Sequence, residues 1–311
     1  MLSFKLIYSD DYYLPIGQHV FPAEKYQRVH QQLIESGTAD VSDFLTPQPA
    51  SDQDILLVHT PQYVNKLKTG TLSAREELQL EVPFSPELVS AFWLAAGGSI
   101  LAAEHALKDG IAINIGGGFH HAFSDHGEGF CMIHDVAVAI RRMQRDNKIR
   151  TAMTVDCDVH QGNGTATIFA GDPSVFTCSL HGAKNYPFRK AQSSLDIELP
   201  DNTADAAYLA TLQTHLPAIL RCFQPQMVWY LAGVDPYVGD KLGRLALTLE
   251  GLRQRDTYVL STCYQTGIPV VTTMGGGYAP QIEDIVEAHC NTVRLACRMA
   301  VNPGVPGQAQ G

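Results

Sequence analysis

Basic residues are scarce in this chain. Its 311 residues include 22 Lys and Arg against 32 Asp and Glu, for a formal net charge of −10. That balance argues against direct nucleic-acid binding by phosphate neutralisation, and no basic run interleaved with aromatics offers an exception. Long apolar runs are missing too. The most apolar stretch, Ala91–Ala103, is 13 residues long and contains Gly97 and Gly98, whereas a membrane span needs about 20. The N-terminus meets Asp10, Asp11 and Pro15 before any apolar segment long enough for a secretion signal develops. The seven cysteines form no CxxC pair, and an odd, scattered set reads as reduced thiols rather than a disulfide framework. The expectation is a cytoplasmic protein without membrane contact. No GxxxxGK[ST] phosphate loop and no GxSxG elbow occur, and Gly116–Gly118 lack the spacing of a dinucleotide fingerprint.

What is present is globular: 45% hydrophobic and 17% charged residues. Ser85, Pro86 and Glu87 supply an N-cap, a first-turn proline and an acidic first turn, opening a helix that ends near Gly110. Short runs rich in β-branched residues follow at 111–115, 151–156, 175–180, 227–232 and 268–274, with helix-like segments at 132–145, 163–170, 203–222, 248–266 and 281–299. Near-continuous apolar strands separated by helices predict a mainly parallel sheet covered on both faces, a three-layer α/β/α arrangement. Residues 1–84 are less regular, and 36–54 read as a polar loop. No linker divides the chain, so 1–301 form one domain, with 302–311 a disordered tail.

Ligands of such sheets collect beyond the carboxyl ends of the strands, where this sequence concentrates His, Asp, Gly and Tyr. Asp158 and His160 stand two residues apart at one strand end, and Asp235 follows another. Singly, each can be a loop cap or a satisfied polar residue. Together they offer three N/O ligands and an open fourth position, the arrangement of a catalytic zinc site, with Fe²⁺ or Mn²⁺ also compatible. His120 and His121 follow three glycines on a tight turn and can exchange protons. Asp156 is placed to orient one of them. Tyr278, after Gly275–Gly277, can donate to a developing oxyanion. Phe130, Tyr186, Phe188 and Leu242 are candidate apolar walls.

These strings resemble the zinc-dependent histone deacetylase family of the arginase/deacetylase fold: INIGGGFHHAFSDHGEGFC, VDCDVHQGNGT, FTCSLH, YLAGVDPYVGDKLG and TTMGGGY. They stand in family order over roughly residues 85–280. The resemblance implies zinc on Asp158, His160 and Asp235, tandem histidines at 120 and 121, and Tyr278 as the carbonyl-polarising tyrosine. Asp156 then pairs with the first histidine. Gly129, Phe130 and Leu242 fall where the acyl-lysine tunnel is lined, and Tyr186 and Gly276 are further expected substrate-binding residues. Ser179 and Leu180, with Asp156, Asp158 and His160, match a structural K⁺ or Na⁺ site. Phe169, Asp172 and Val175 match a second such site.

One departure is informative. Asn163 stands where most of the family carries Asp, and class IV deacetylases and their bacterial relatives share that Asn. The segment FSPELVSAFWLAAGGSILAAEHAL also looks like theirs. An amide cannot stabilise an imidazolium by charge, so His121 is easier to keep neutral, as a general base requires. The activity implied is removal of acetyl or longer acyl groups from lysine in peptides or proteins. The alternative is an acetylpolyamine or other small-molecule deacetylase, with specificity residing in loops around 10–30, 69–85 and 183–194. A binuclear manganese ureohydrolase would need Asp at position 162, which is Gly. A catalytically silent binding module would be expected to lose part of the set.

Overall fold

The chain folds around one eight-stranded sheet. In the computed structural model, which describes residues 1–301, the elements run β1 (Lys5–Ile7), α1 (Lys25–Glu35), β2 (Phe44–Leu45), α2 (Asp52–Ile55), α3 (Pro61–Thr69), α4 (Ala74–Leu80), α5 (Pro86–Asp109), β3 (Ile111–Asn114), α6 (Asp135–Arg145), β4 (Ala152–Asp156), α7 (Asn163–Ile168), β5 (Val175–Gly182), β6 (Leu195–Leu199), α8 (Asp205–Phe223), β7 (Met227–Leu231), α9 (Leu249–Gln265), β8 (Val270–Thr273) and α10 (Ile282–Val301). The disorder expected at 302–311 lies outside the described residues. Strand order is β2-β1-β3-β8-β7-β4-β5-β6, with every pairing parallel. One group of helices, α5 and α6 with α2 and α3, packs together on the sheet, and a second group, α1, α8, α9 and α10, packs together separately. This is the expected α/β/α sandwich. Strands β3, β4, β7 and β8 are buried along their whole length, which is why they read as continuous apolar runs.

Helix α5 shows how the local signals act. The Ser85 hydroxyl accepts from the Leu88 N–H at 3.0 Å, Pro86 opens the first turn, and Gly110 closes the helix with φ +83°. Its 24 residues are long and apolar enough to cross a membrane, but most of its apolar window is buried against the sheet and α6. The glycines inside it permit close approach. A Cβ on Gly98 would sit 1.8 Å from the Tyr12 hydroxyl, which donates to Asn114 Oδ1 at 2.8 Å.

The N-terminal third corrects the sequence reading. The polar loop expected at 36–54 contains β2 and α2, and β1 pairs β2 on one side and β3 on the other. A two-residue strand is too short to leave a periodicity. Strand β6 was missed for a different reason: it is an edge strand, half-exposed, and its LDIEL sequence carries two charges.

Candidate active site

Four strands adjacent in the sheet, β3, β8, β7 and β4, point their carboxyl ends at one place. From β3 come His120 and His121, from β8 Tyr278, from β7 Asp235, and from β4 Asp156, Asp158 and His160. The turn after β3 is held by Asp135 at the start of α6, whose carboxylate accepts from the N–H groups of Gly118 and Phe119 at 2.9–3.1 Å and from the Ser99 hydroxyl at 2.5 Å. Gly118 has φ +88°, and a Cβ there would meet the Gly275 backbone at 2.9 Å. Two glycine turns thus interlock beneath the histidines. The buried Arg255 guanidinium donates to the carbonyls of Cys157 and Gly233, at 3.1 and 2.6 Å, tying the loops after β4 and β7 together.

The β4 ladder ends at Asp156, so Asp158 and His160 converge through a loop and not through strand periodicity. Asp156 Oδ1 accepts the Asp158 N–H, Asp158 Oδ1 accepts the His160 N–H, and Asp235 Oδ1 accepts the Val159 N–H at 2.8 Å. His160 Nδ1 lies 3.0 Å from both Asp158 Oδ1 and Asp235 Oδ2. One potential ligand atom from each residue falls within 4.8 Å of the others, all buried. Burial and the Asp158 charge push the Asp235 carboxyl up to about 7 against the opposing pull of His160, a mark of the repulsion between the two carboxylates. A divalent ion among three N/O donors relieves it, so the donor set fits a metal. The Gly276 N–H donates to Asp158 Oδ2 at 2.8 Å, and a Cβ at 276 would strike Asp235 Oδ2 at 2.2 Å.

His120 Nδ1 donates to Asp156 Oδ2 at 2.7 Å. Burial opposes its protonation, but the Asp156 and Asp158 charges prevail and push it up to about 9. His121 Nδ1 faces Asn163 Oδ1 at 2.7 Å. Burial, reinforced by His120 and His160, holds His121 well below the usual histidine range, and the amide bond does not offset it. The Tyr278 N–H donates to Asp240 Oδ2 at 2.6 Å, and its ring stands edge-on to His160 at 6.1 Å. Burial and the Asp158 and Asp235 charges hold the phenol well above its usual range, so it remains a donor.

Above this floor opens a cavity of about 240 Å³ lined by His121, Gly129, Phe130, His160, Tyr186, Leu242 and Tyr278, together with Glu81, Lys184, Asn185 and Arg244. Two of the loops expected to set specificity, 69–85 and 183–194, supply Glu81 and Lys184–Tyr186. The third, 10–30, supplies Phe21 to a smaller inner recess that Gly276 also lines. His121, Gly129, Phe130 and Tyr278 border both the cavity and this recess. Phe188 is 97% exposed and is no wall. Ser179 and Leu180 are buried on β5 beside β4, Ser179 in register with Asp156. At the second expected cation position the Asp172 carboxylate is engaged by Arg141 at 2.7 Å, over the Phe169 ring.

Sequence reading missed Lys25, Asp240 and Glu128. Lys25 is buried on α1 and donates to the Gly275 carbonyl at 2.6 Å. Burial lowers it to about 8 despite Asp235, Asp158 and Asp240 nearby. Nothing in an amphipathic helix distinguishes such a lysine, since its partner lies 250 residues away. Glu128 stood in plain view inside GEGFC, next to two residues that were singled out.

A parallel α/β sheet carrying a buried Asp-His-Asp set, two imidazoles of opposite disposition and a protonated phenol defines a hydrolase able to attack a polarised carbonyl. The chain belongs to the histone deacetylase family: the histone deacetylase domain model matches residues 19–293. It is 43% identical over 296 residues to an uncharacterized protein of Picosynechococcus sp., covering 95% of this chain and 99% of that one. It is 35% identical to histone deacetylase 2 of Arabidopsis thaliana, covering 88% and 74%. The structure of an HDAC homologue from Aquifex aeolicus superposes with a TM-score of 0.81 at 25% identity, covering 96% of this chain and 84% of that one. The protein is a histone deacetylase-like hydrolase acting on amides.

Proposed function

We propose that residues 1–301 form a zinc-dependent, class IV-like lysine deacylase that removes acetyl or longer acyl groups from lysine side chains in peptides or proteins. The observation that carries this reading is the buried Asp158–His160–Asp235 set opening onto a narrow, largely apolar cavity that begins at His121 and Tyr278. A divalent ion held there supplies Lewis acidity toward the amide carbonyl and toward water. The protein's own groups do the rest. Phe130, Tyr186 and Leu242 wall the acyl-lysine stem. The Tyr278 hydroxyl donates to the carbonyl oxygen as negative charge develops on it. His121, kept neutral, takes a proton from the attacking water at Nε2. His120, held protonated by Asp156, supplies a proton to the departing amine. Asn163 orients His121. Asp156, Asp158, His160, Ser179 and Leu180 would hold a K⁺ or Na⁺ that stabilises the loop after β4. The seven unpaired cysteines support a reducing, cytoplasmic setting.

The test is turnover of fluorogenic acetyl-, octanoyl- and myristoyl-lysine peptides, and of N-acetylpolyamines, before and after chelation and zinc repletion. Chelator-sensitive hydrolysis of an acyl-lysine peptide is expected. Turnover of acetylpolyamine alone would replace the protein-substrate reading with the small-molecule one. Chelator-resistant activity would refute the metal role.

A further inference from the structure

One carboxylate links the base to the cavity wall. Glu128 sits in the turn before Gly129 and Phe130. Its Oε1 accepts from Asn163 Nδ2 at 2.8 Å and from the Tyr186 hydroxyl; its Oε2 accepts from Gln79 Nε2 at 3.0 Å, with His126 Nε2 3.7 Å away. Burial raises this carboxyl, but the nearby His126 and the bonds from Tyr186, Gln79 and Asn163 prevail and hold it down at about 2. An ionised carboxylate only accepts, so the Asn163 amide must turn its NH₂ toward Glu128. Its oxygen is then committed to His121 Nδ1, 2.7 Å away. That oxygen can only accept, so the proton sits on Nδ1 and Nε2 keeps its lone pair. An amide alone does not dictate this outcome. Flipped by 180°, it would present NH₂ to Nδ1 and force the proton onto Nε2, where it would block a base. The same carboxylate holds Tyr186, whose ring stands edge-on to His121 at 5.0 Å and 89°.

We propose that Glu128 is a positioning residue that fixes the His121 tautomer through Asn163 and anchors the Tyr186 wall through its hydroxyl. The inference rests on the reading of His121 as the base, and it assigns the job of a carboxylate at position 163 to one lying one hydrogen bond further out. The sheet-end loop after β3 thereby supplies both the base and the group that orients it.

The readout is the ¹⁵N spectrum of histidine-labelled, zinc-loaded protein, with His121 assigned by its loss in His121→Gln. The wild type should show the Nδ1–H tautomer. In Glu128→Ala the amide is free to flip, the Nε2–H tautomer should appear, and kcat should fall about tenfold or more with zinc content unchanged. Glu128→Gln keeps an acceptor for Asn163 and should restore both the tautomer and most of kcat. Tyr186→Phe should leave the tautomer alone and raise KM. If Glu128→Ala does not fold, Glu128→Met keeps the length of the stem and gives the same reading. A wild-type tautomer in the acceptor-less variant overturns the proposal. Absence of acyl-lysine hydrolysis in the wild type would instead overturn the functional reading, and the tautomer measurement would still decide this one.

Discussion

His120 and His121 are neighbours in sequence with ring centroids 4.1 Å apart, yet the protein drives them in opposite directions. Both are buried, and burial alone would neutralise both. The difference is the partner of Nδ1. His120 has the carboxylate of Asp156, with Asp158 3.8 Å from its other nitrogen. His121 has the amide of Asn163, whose own NH₂ donates to the Glu128 carboxylate. One backbone turn thus presents a proton donor and a proton acceptor at the same pH, and the choice of COO⁻ or CONH₂ behind each ring decides which is which. In the proposed mechanism these Nδ1 partners assign the acid and the base.

The largest effect comes from removing what both halves serve. Asp158→Ala or Asp235→Ala leaves two of three ligands, so bound metal should fall well below one equivalent and activity with it, whatever the state of the histidines. Elemental analysis showing wild-type metal in both variants would refute the ligand assignment and leave the two histidines without a common centre. Next, Tyr278→Phe deletes a hydroxyl that contacts neither half. The kcat should drop by roughly 10²–10³ with KM little changed, and neither limb of the pH profile should move. A near-wild-type kcat removes Tyr278 from the mechanism, and a displaced limb would mean that the comparison omits a group.

The charged half is tested by Asp156→Asn. Without the carboxylate, the factor that lifts His120 toward 9 is weakened, so the acid loses its proton at lower pH. The alkaline limb of kcat/KM should move down, with a loss of roughly 10–100-fold at neutral pH that grows as pH rises. An alkaline limb that stays in place would show that His120 is not the acid.

How far these roles could be read from the sequence follows from the range of the interactions involved. The four central strands and the residues just beyond them were legible, because burial on both faces leaves uninterrupted apolar runs and the ligands follow those runs directly. Asp156 and Asn163 were legible as partners because they lie near Asp158 and His160 in the same string. The outer strands were not: β2 has two residues and β6 alternates like a surface segment. Lys25 and Asp240 act on backbone atoms of the Gly275–Tyr278 turn, 250 and 38 residues away, and no local pattern records such a contact. Gly276 was recognised as a site residue, but a glycine string shows that something approaches closely without showing what: here it is the Asp158 and Asp235 carboxylates. Phe188 was misread because an aromatic in a loop carries no record of its direction.

The smallest effect is the most discriminating, because it turns the neutral half into a copy of the charged one. Asn163→Asp is nearly isosteric, and a carboxylate beside His121 Nδ1 favours the imidazolium, raising a pKa that burial now holds low. A base must be deprotonated to act, so the acidic limb of kcat/KM should move to higher pH, with activity lost mainly below neutrality and metal content unchanged. Glu128 limits the shift. In the single variant two carboxylates would meet where Asn163 Nδ2 now donates at 2.8 Å, and such a pair retains a proton between its members, cancelling much of the added charge. Replacing Glu128 by Gln in the same chain removes that competitor and lets the new carboxylate ionise fully. The acidic limb should therefore move further in Asn163→Asp/Glu128→Gln than in Asn163→Asp, and not at all in Glu128→Gln alone. Equal limbs in all four proteins would mean that Asn163 only shapes the Gly162–Gly164 turn. The contrast between the two histidines would then have to come from burial and from the charges of His120 and His160, with no part played by the amide.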